Sequence, residues 1–284
     1  MSRNQAGSGT VVSHETLPGQ FMTASVHGSS ERAAVLLHGL PGDRDTWAKV
    51  APLLSAHRRL VIPDLLGFGS SDALRPDQHA EQEARAVLAL LDALGIDRVD
   101  LVGHDFGGPT ALWMWRLAPG RIASLALLAT NAFRDTPIPG FLKLARVPVV
   151  GDALFHVLFS RPGLLMMWLQ ATGDRAAYPL REYRRILRSS VGVRSTREVF
   201  LRSLRMLERL YVEVEQAVGT VTVPRLVIWG DLDPFFALRE GERLARQMNA
   251  PLQVLSGCGH FLPQERPAEV AALLHRLWGG GLAT

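Results

Sequence analysis

The residues with the most chemical content form one run, Val102-Gly103-His104-Asp105-Phe106-Gly107-Gly108, where an apolar segment meets a helical pattern. Glycines on both shoulders permit a sharp strand-to-helix turn with close backbone packing. Such a turn thrusts its central side chain, Asp105, above a sheet and beside a helix N-terminus. There the helix dipole and unpaired N–H groups favour an anion. Pro109 suits the first helical turn, where its missing N–H is not needed. A carboxylate in this place is already ionised. Attack on an ester would give an anhydride, a poor intermediate, so the group suits displacement at a saturated carbon, which leaves an alkyl ester on Asp105. Water must then cleave that ester, and this step requires a general base and an oxyanion hole.

Candidates for both lie elsewhere in the chain. Gly257-Cys258-Gly259-His260 sits between a short apolar run and the C-terminal helical pattern and offers His260 as base. Gly230-Asp231-Leu232-Asp233-Pro234 offers Asp233, or alternatively Asp231, to orient the imidazole. His38-Gly39-Leu40-Pro41-Gly42 follows an earlier apolar run, and the backbone N–H groups of Leu40 and Phe106 can form the oxyanion hole. His38 and His104 are expected to be structural, and Cys258 a small packed residue.

These side chains need a common edge to meet on. Short apolar runs at Ala33–Leu37, 59–62, 99–102, Ile122–Leu128, 225–229 and Leu252–Leu255 read as strands buried on both faces. A hairpin around Pro18-Gly19 precedes them. Ala84, Val87, Leu88, Leu91 and Leu94 recur at helical spacing, as do Val270, Leu273, Leu274, Leu277 and Trp278. Strand alternating with helix gives an α/β fold with a mostly parallel sheet flanked by helices. The alternation breaks over 132–216, a helical stretch interrupted at Pro139, Pro148, Pro162, Gly173 and Pro179. It reads as a cap laid over the sheet's C-terminal edge, between core segments 1–131 and 217–284. One helix at its end is expected to carry Phe200, Leu204, Leu207, Tyr211 and Val214 on a single face.

The order nucleophile, acid, histidine is that of the α/β-hydrolases, which the sequence resembles over essentially its whole length. Within that superfamily, whose usual elbow residue is Ser, it looks like the Asp-nucleophile branch of epoxide hydrolases and haloalkane dehalogenases. His38-Gly39-Leu40-Pro41 matches the branch's His-Gly-X-Pro element, in which the X-Pro bond is usually cis. Gly103–Gly108 matches its elbow, and Gly67-Phe68-Gly69-Ser70-Ser71 a loop common to the superfamily. The resemblance implies an α/β-hydrolase core with an inserted helical cap. Epoxide hydrolases place two cap tyrosines over the nucleophile to neutralise the opening oxygen. Tyr211 stands where the second is expected; Phe155 takes the place of the first, with His156 beside it as a substitute donor. Tyr178 and Tyr183 are further candidates for the pocket. Against the dehalogenase pattern stand Phe106 in place of Trp, Leu40 in place of Asn, and an elbow helix without Arg near its start. Trp168 is a candidate halide donor.

The expected reaction is therefore epoxide opening to a vicinal diol, without cofactor or metal, on a small, largely apolar electrophile with water as co-substrate. Halide displacement by Asp105 is the alternative, and a non-catalytic ligand-binding homologue the second. Of the 284 residues, 47% are hydrophobic and 20% charged, which excludes a disordered chain. A net charge of only +4 gives no nucleic-acid signature. The excess of base falls in 132–216, where Arg181, Arg184, Arg185 and Arg188 make a helical stripe, expected to be a solvated face. A single cysteine permits no intrachain disulfide. No apolar run is long enough to span a bilayer, and the first ten residues lack a signal-like apolar core. A cytoplasmic protein without membrane association is the expectation.

Overall fold

The computed structural model describes residues 9–137, 140–147, 149–191 and 194–279, without the side chains of 141, 186–191, 194 and 195. Pro139 and Pro148 lie outside the described residues, as does the Arg188 side chain. Strands β1 (Thr10–Leu17), β2 (Gln20–His27), β3 (Ala33–Leu37), β4 (Arg59–Pro63), β5 (Val99–His104), β6 (Ile122–Leu128), β7 (Arg225–Gly230) and β8 (Leu252–Leu255) make one sheet. Their order is β1-β2-β4-β3-β5-β6-β7-β8. The pairs β1/β2 and β2/β4 are antiparallel and the others parallel. All of β3 and β5 is buried, as their continuous apolar runs require when helices cover both faces of a sheet.

Helices α1 (Ala51–Leu54), α2 (Ala80–Ala93) and α3 (Gly107–Leu117) belong to the first part of the core. Helices α4 (Val150–Leu158), α5 (Arg161–Ala171), α6 (Leu180–Val191), α7 (Arg194–Arg205) and α8 (Leu207–Val218) lie between β6 and β7, the stretch read from the sequence as the cap. The chain returns through α9 (Leu238–Met248), α10 (Leu262–Glu265) and α11 (Pro267–Trp278). Apolar faces of α2, α3, α8 and α9 cover one side of the sheet, and those of α1 and α11 the other. A third apolar cluster inside the cap holds Phe155, Phe159, Tyr178, Tyr183 and Leu201, together with Phe261 of the core.

The helices at the end of this stretch depart from the sequence reading. The stripe from Phe200 to Val214 spans two helices, because Met206 leaves helical geometry at φ −112°. Phe200 and Leu204 on α7 and Leu207 and Tyr211 on α8 all line one cavity. The break re-aims the second helix so that both apolar faces reach it. Arg181, Arg184 and Arg185 of α6 are exposed.

The elbow between β5 and α3 depends on tight contacts. Asp105 is left-handed at φ 48°, a conformation that costs a non-glycine residue energy and persists only when its surroundings enforce it. Its backbone is held at three points: its N–H donates to Leu128 O at 3.1 Å, and its carbonyl accepts from Gly108 N at 2.9 Å and Thr130 Oγ1 at 2.6 Å. A Cβ on Gly108 would lie 2.0 Å from Thr130 Oγ1. Gly108→Ala must therefore displace the group that anchors the elbow. It should destabilise the fold by about 1–3 kcal/mol, read as a lower Tm. An unchanged Tm would show that the elbow yields freely.

Candidate active site

The turn after β5 delivers Asp105 to the floor of a cavity of about 160 Å³ between sheet edge and cap. The two carboxylate oxygens have different surroundings. Oδ2 accepts from the Leu40 N–H at 2.6 Å, and the adjacent Phe106 N–H also favours the charged carboxylate. Oδ1 faces His260, 3.9 Å from its Nε2. The peptide bond between Leu40 and Pro41 is cis.

His260 stands on the loop after β8 and is 2% exposed. Its Nδ1 lies 2.8 Å from Asp233 Oδ2, and Asp233 Oδ1 accepts from the N–H groups of Phe235 at 2.8 Å and Phe236 at 3.0 Å. Asp233 is thus the acid partner. Asp231 instead binds the loop, accepting from Cys258 N and Ser256 Oγ at 3.3 Å each. The rings of Phe235, Phe236 and Phe261 surround the imidazole at 5.1–5.7 Å. His104 is buried and neutral, its pKa pushed down to about 3 chiefly by burial; its Nε2 lies 3.0 Å from the His260 carbonyl oxygen. Buried His38 accepts from Leu65 N at 3.0 Å through Nε2. Cys258 is fully buried, and burial pushes its thiol pKa up, which keeps the sulfur protonated.

Burial also raises the Asp105 pKa, against the opposing pull of His260 and the Leu40 and Phe106 N–H groups. For His260, burial opposes the cation, but Asp233 and then Asp105 and Glu265 outweigh it, and the net shift is upward. Tyr211 lines the cavity and is raised by burial first and then by the Asp105 charge, so its phenol stays a proton donor.

Four other residues named from the sequence are not at the cavity, and a fifth only backs it. His156 is exposed on the outer face of α4, so it cannot act as a donor. Its neighbour Phe155 turns inward but packs behind Phe159 and Phe200, which do line the cavity. Trp168 donates its indole N–H to Tyr178 O at 2.8 Å and has none left for a halide. Tyr178 and Tyr183 pack on each other and on the far side of Phe261. Conversely, Asn131 and Thr136 line the cavity and were not singled out from the sequence. Asn131 Oδ1 accepts from Phe133 N at 3.0 Å and Thr136 Oγ1 at 2.6 Å, which leaves its amide N–H groups for a ligand. Their position just beyond the end of β6, at the ligand-binding edge of the sheet, was the available signal. Phe235 and Phe236 could likewise have been found from their place beside Asp233.

A family model described as the alpha/beta hydrolase fold matches residues 34–267. The chain belongs to the α/β-hydrolase family. It is 30% identical over 247 residues to a 2-hydroxy-6-oxononadienedioate/2-hydroxy-6-oxononatrienedioate hydrolase of Dechloromonas aromatica, covering 84% of this chain and 83% of the relative. The epoxide hydrolase CorEH has a similar structure, with a TM-score of 0.79 and 20% identity over 95% of this chain and 99% of that one. A meta-cleavage product hydrolase from Pseudomonas fluorescens gives 0.78 and 20% over 97% and 99%. These two likenesses concern the fold. This α/β-hydrolase is a hydrolase, and no described helix is long and apolar enough to cross a membrane.

A base must be neutral to accept a proton, so a step that depends on His260 should speed up as pH rises through the imidazole's midpoint, which Asp233 holds up against burial. Asp233→Asn removes the strongest charge holding the midpoint up and the partner that orients the ring. The midpoint should fall and the rate drop by about 10³–10⁴-fold. A pH–rate profile identical to that of the parent would exclude the pairing.

Proposed function

We propose that this α/β-hydrolase opens epoxides to vicinal diols through a covalent ester on Asp105. The observation that carries the reading is the division of the Asp105 carboxylate. Oδ2 is occupied by the Leu40 N–H, while Oδ1 is turned toward His260 in a cavity that Tyr211 also lines. Oδ1 attacks an epoxide carbon, the C–O bond breaks, and its electron pair goes to the epoxide oxygen. Tyr211 supplies the proton that makes this oxygen a hydroxyl. Water then adds to the Asp105 carbonyl carbon and gives a proton to His260, steadied by Asp233. The negative charge of the tetrahedral intermediate gathers on Oδ2, against the Leu40 and Phe106 N–H groups. Collapse releases the diol, its second hydroxyl taking the proton from His260, and the proton that the water left on the Asp105 carboxyl returns to the Tyr211 phenolate, which restores both groups. Esterification removes the Asp105 charge, one of those that raise His260, so the imidazole becomes easier to deprotonate when it must act as base.

The lining also speaks to substrate. Phe106, Phe159, Phe200, Phe235, Phe236 and Phe261 surround the reacting atoms, and among the described residues no Arg or Lys reaches the cavity. A neutral, apolar electrophile suits such walls. The Dechloromonas relative is named for a dioate, a dianion for which no described Arg or Lys lines this cavity. Asp in the elbow also argues against acyl-type chemistry on such a substrate. Halide displacement remains the second reading, favoured by the dry aromatic walls; the protonated phenol of Tyr211 favours the epoxide, whose alkoxide is the stronger base. A binding protein without turnover would have no use for the paired Asp233 and His260.

Removing the base should trap the ester. His260→Ala treated with aryl and alkyl epoxides is expected to gain the whole epoxide mass on the Asp105 peptide. A gain equal to a bromoalkane less HBr, without any epoxide adduct, would favour halide displacement. No Asp105 adduct from either class would sink covalent catalysis. Tyr211→Phe should slow epoxide opening by about 10²-fold or more, measured in a single turnover. Unimpaired opening would remove Tyr211 from the mechanism.

A further inference from the structure

We propose that Glu265, on α10, is a positioning residue for His260 that joins the histidine loop to the cap through one buried carboxylate. The side chain accepts four backbone N–H groups. Oε2 takes those of Gly173 and Asp174 at 2.8 Å and Gly259 at 3.0 Å, and Oε1 takes that of Phe261 at 3.2 Å. Two donors belong to the cap, just past α5, and two flank His260 directly in the chain. The residue is 2% exposed, so no solvent can replace these bonds.

Neighbouring contacts hold the same junction. The His260 N–H donates to Ala171 O at 2.8 Å, and a Cβ on Gly259 would lie 2.1 Å from that oxygen. Arg266 pairs with Asp174 at 2.5 Å on the outside. Two backbone segments thus meet with no room for a side chain between them, and a four-acceptor carboxylate is what satisfies their converging donors. Glu265 adds a third negative charge near His260, beside Asp233 and Asp105, with neutral His104 beneath the ring. It acts through position and field and touches no reacting atom.

The inference rests on His260 as the base but not on the identity of the substrate. The test is therefore the imidazole titration of His260 followed by NMR in the parent protein and in Glu265→Gln. The expected result is a fall in its pKa, because one of the charges that favour the imidazolium is gone. Hydrolysis of an Asp105 ester, formed with any electrophile that alkylates it, should slow by about 10–100-fold while its formation is little changed. Glu265→Asp keeps the charge but shortens the reach: the His260 pKa should hold while ester hydrolysis slows. An unshifted His260 in folded Glu265→Gln, or parental hydrolysis in Glu265→Asp, would overturn the assignment. Failure of both variants to fold would overturn it in favour of a purely structural role. A shifted His260 without any Asp105 adduct would leave Glu265 in place and count against the proposed reaction alone.

Discussion

Burying an ionised carboxylate beneath aromatic rings costs several kcal/mol unless dipoles or charges compensate, and that cost shapes the centre of this protein. Asp105 meets it with two backbone N–H groups and a nearby imidazole. The Leu40 N–H can reach the carboxylate only because the loop after β3 passes over the elbow. The carboxylate is in position only because Asp105 accepts a left-handed backbone, held by Leu128, Gly108 and Thr130. The N–H groups that keep the resting anion tolerable are the ones that would bear the charge of a tetrahedral intermediate. Stability of the resting site and stabilisation of a reaction intermediate thus come from one arrangement, without reorganisation between them.

The histidine loop answers a different constraint. His260 must be buried to stay dry, yet fixed well enough that its ring points at Asp105. Its own backbone is bound on both sides, by the Ala171 carbonyl from the cap and the His104 imidazole from the core. Asp231 and Glu265 take the N–H groups of its neighbours, and Asp233 takes the ring. The end of α5 is therefore part of what holds the His260 ring in place. Cap and core share the cavity above Asp105, but at this junction they also share the framework that aims the imidazole.

Much of this was legible from local spacing. The shoulders of the elbow, the two short loops carrying Asp233 and His260, and the buried strands are patterns within a few residues, governed by backbone sterics and burial. The cap was different. Its residues were read from register against a family pattern, and one helical step decides whether a side chain faces a cavity or water. Phe155 and His156 are adjacent, so they point about 100° apart around α4: one packs inward and the other meets solvent. Trp168 lies near the right region, but the Tyr178 carbonyl had already taken its N–H, a contact ten residues away that no periodicity reveals. The turn at Met206 likewise split a stripe that looked like one helix.

The sequence by itself determined the α/β-hydrolase architecture and the candidate trio of Asp105, Asp233 and His260, because each rests on short-range chemistry: glycines that allow a turn, apolar runs that must be covered, loops that follow strands. Only the tertiary structure decided which of Asp231 and Asp233 meets the imidazole, which cap side chains line the cavity, and that Glu265 gathers donors from segments about ninety residues apart. Hydrogen bonds and burial depend on where distant segments come to rest, and that position is settled by the packing of the whole chain rather than by any stretch of it.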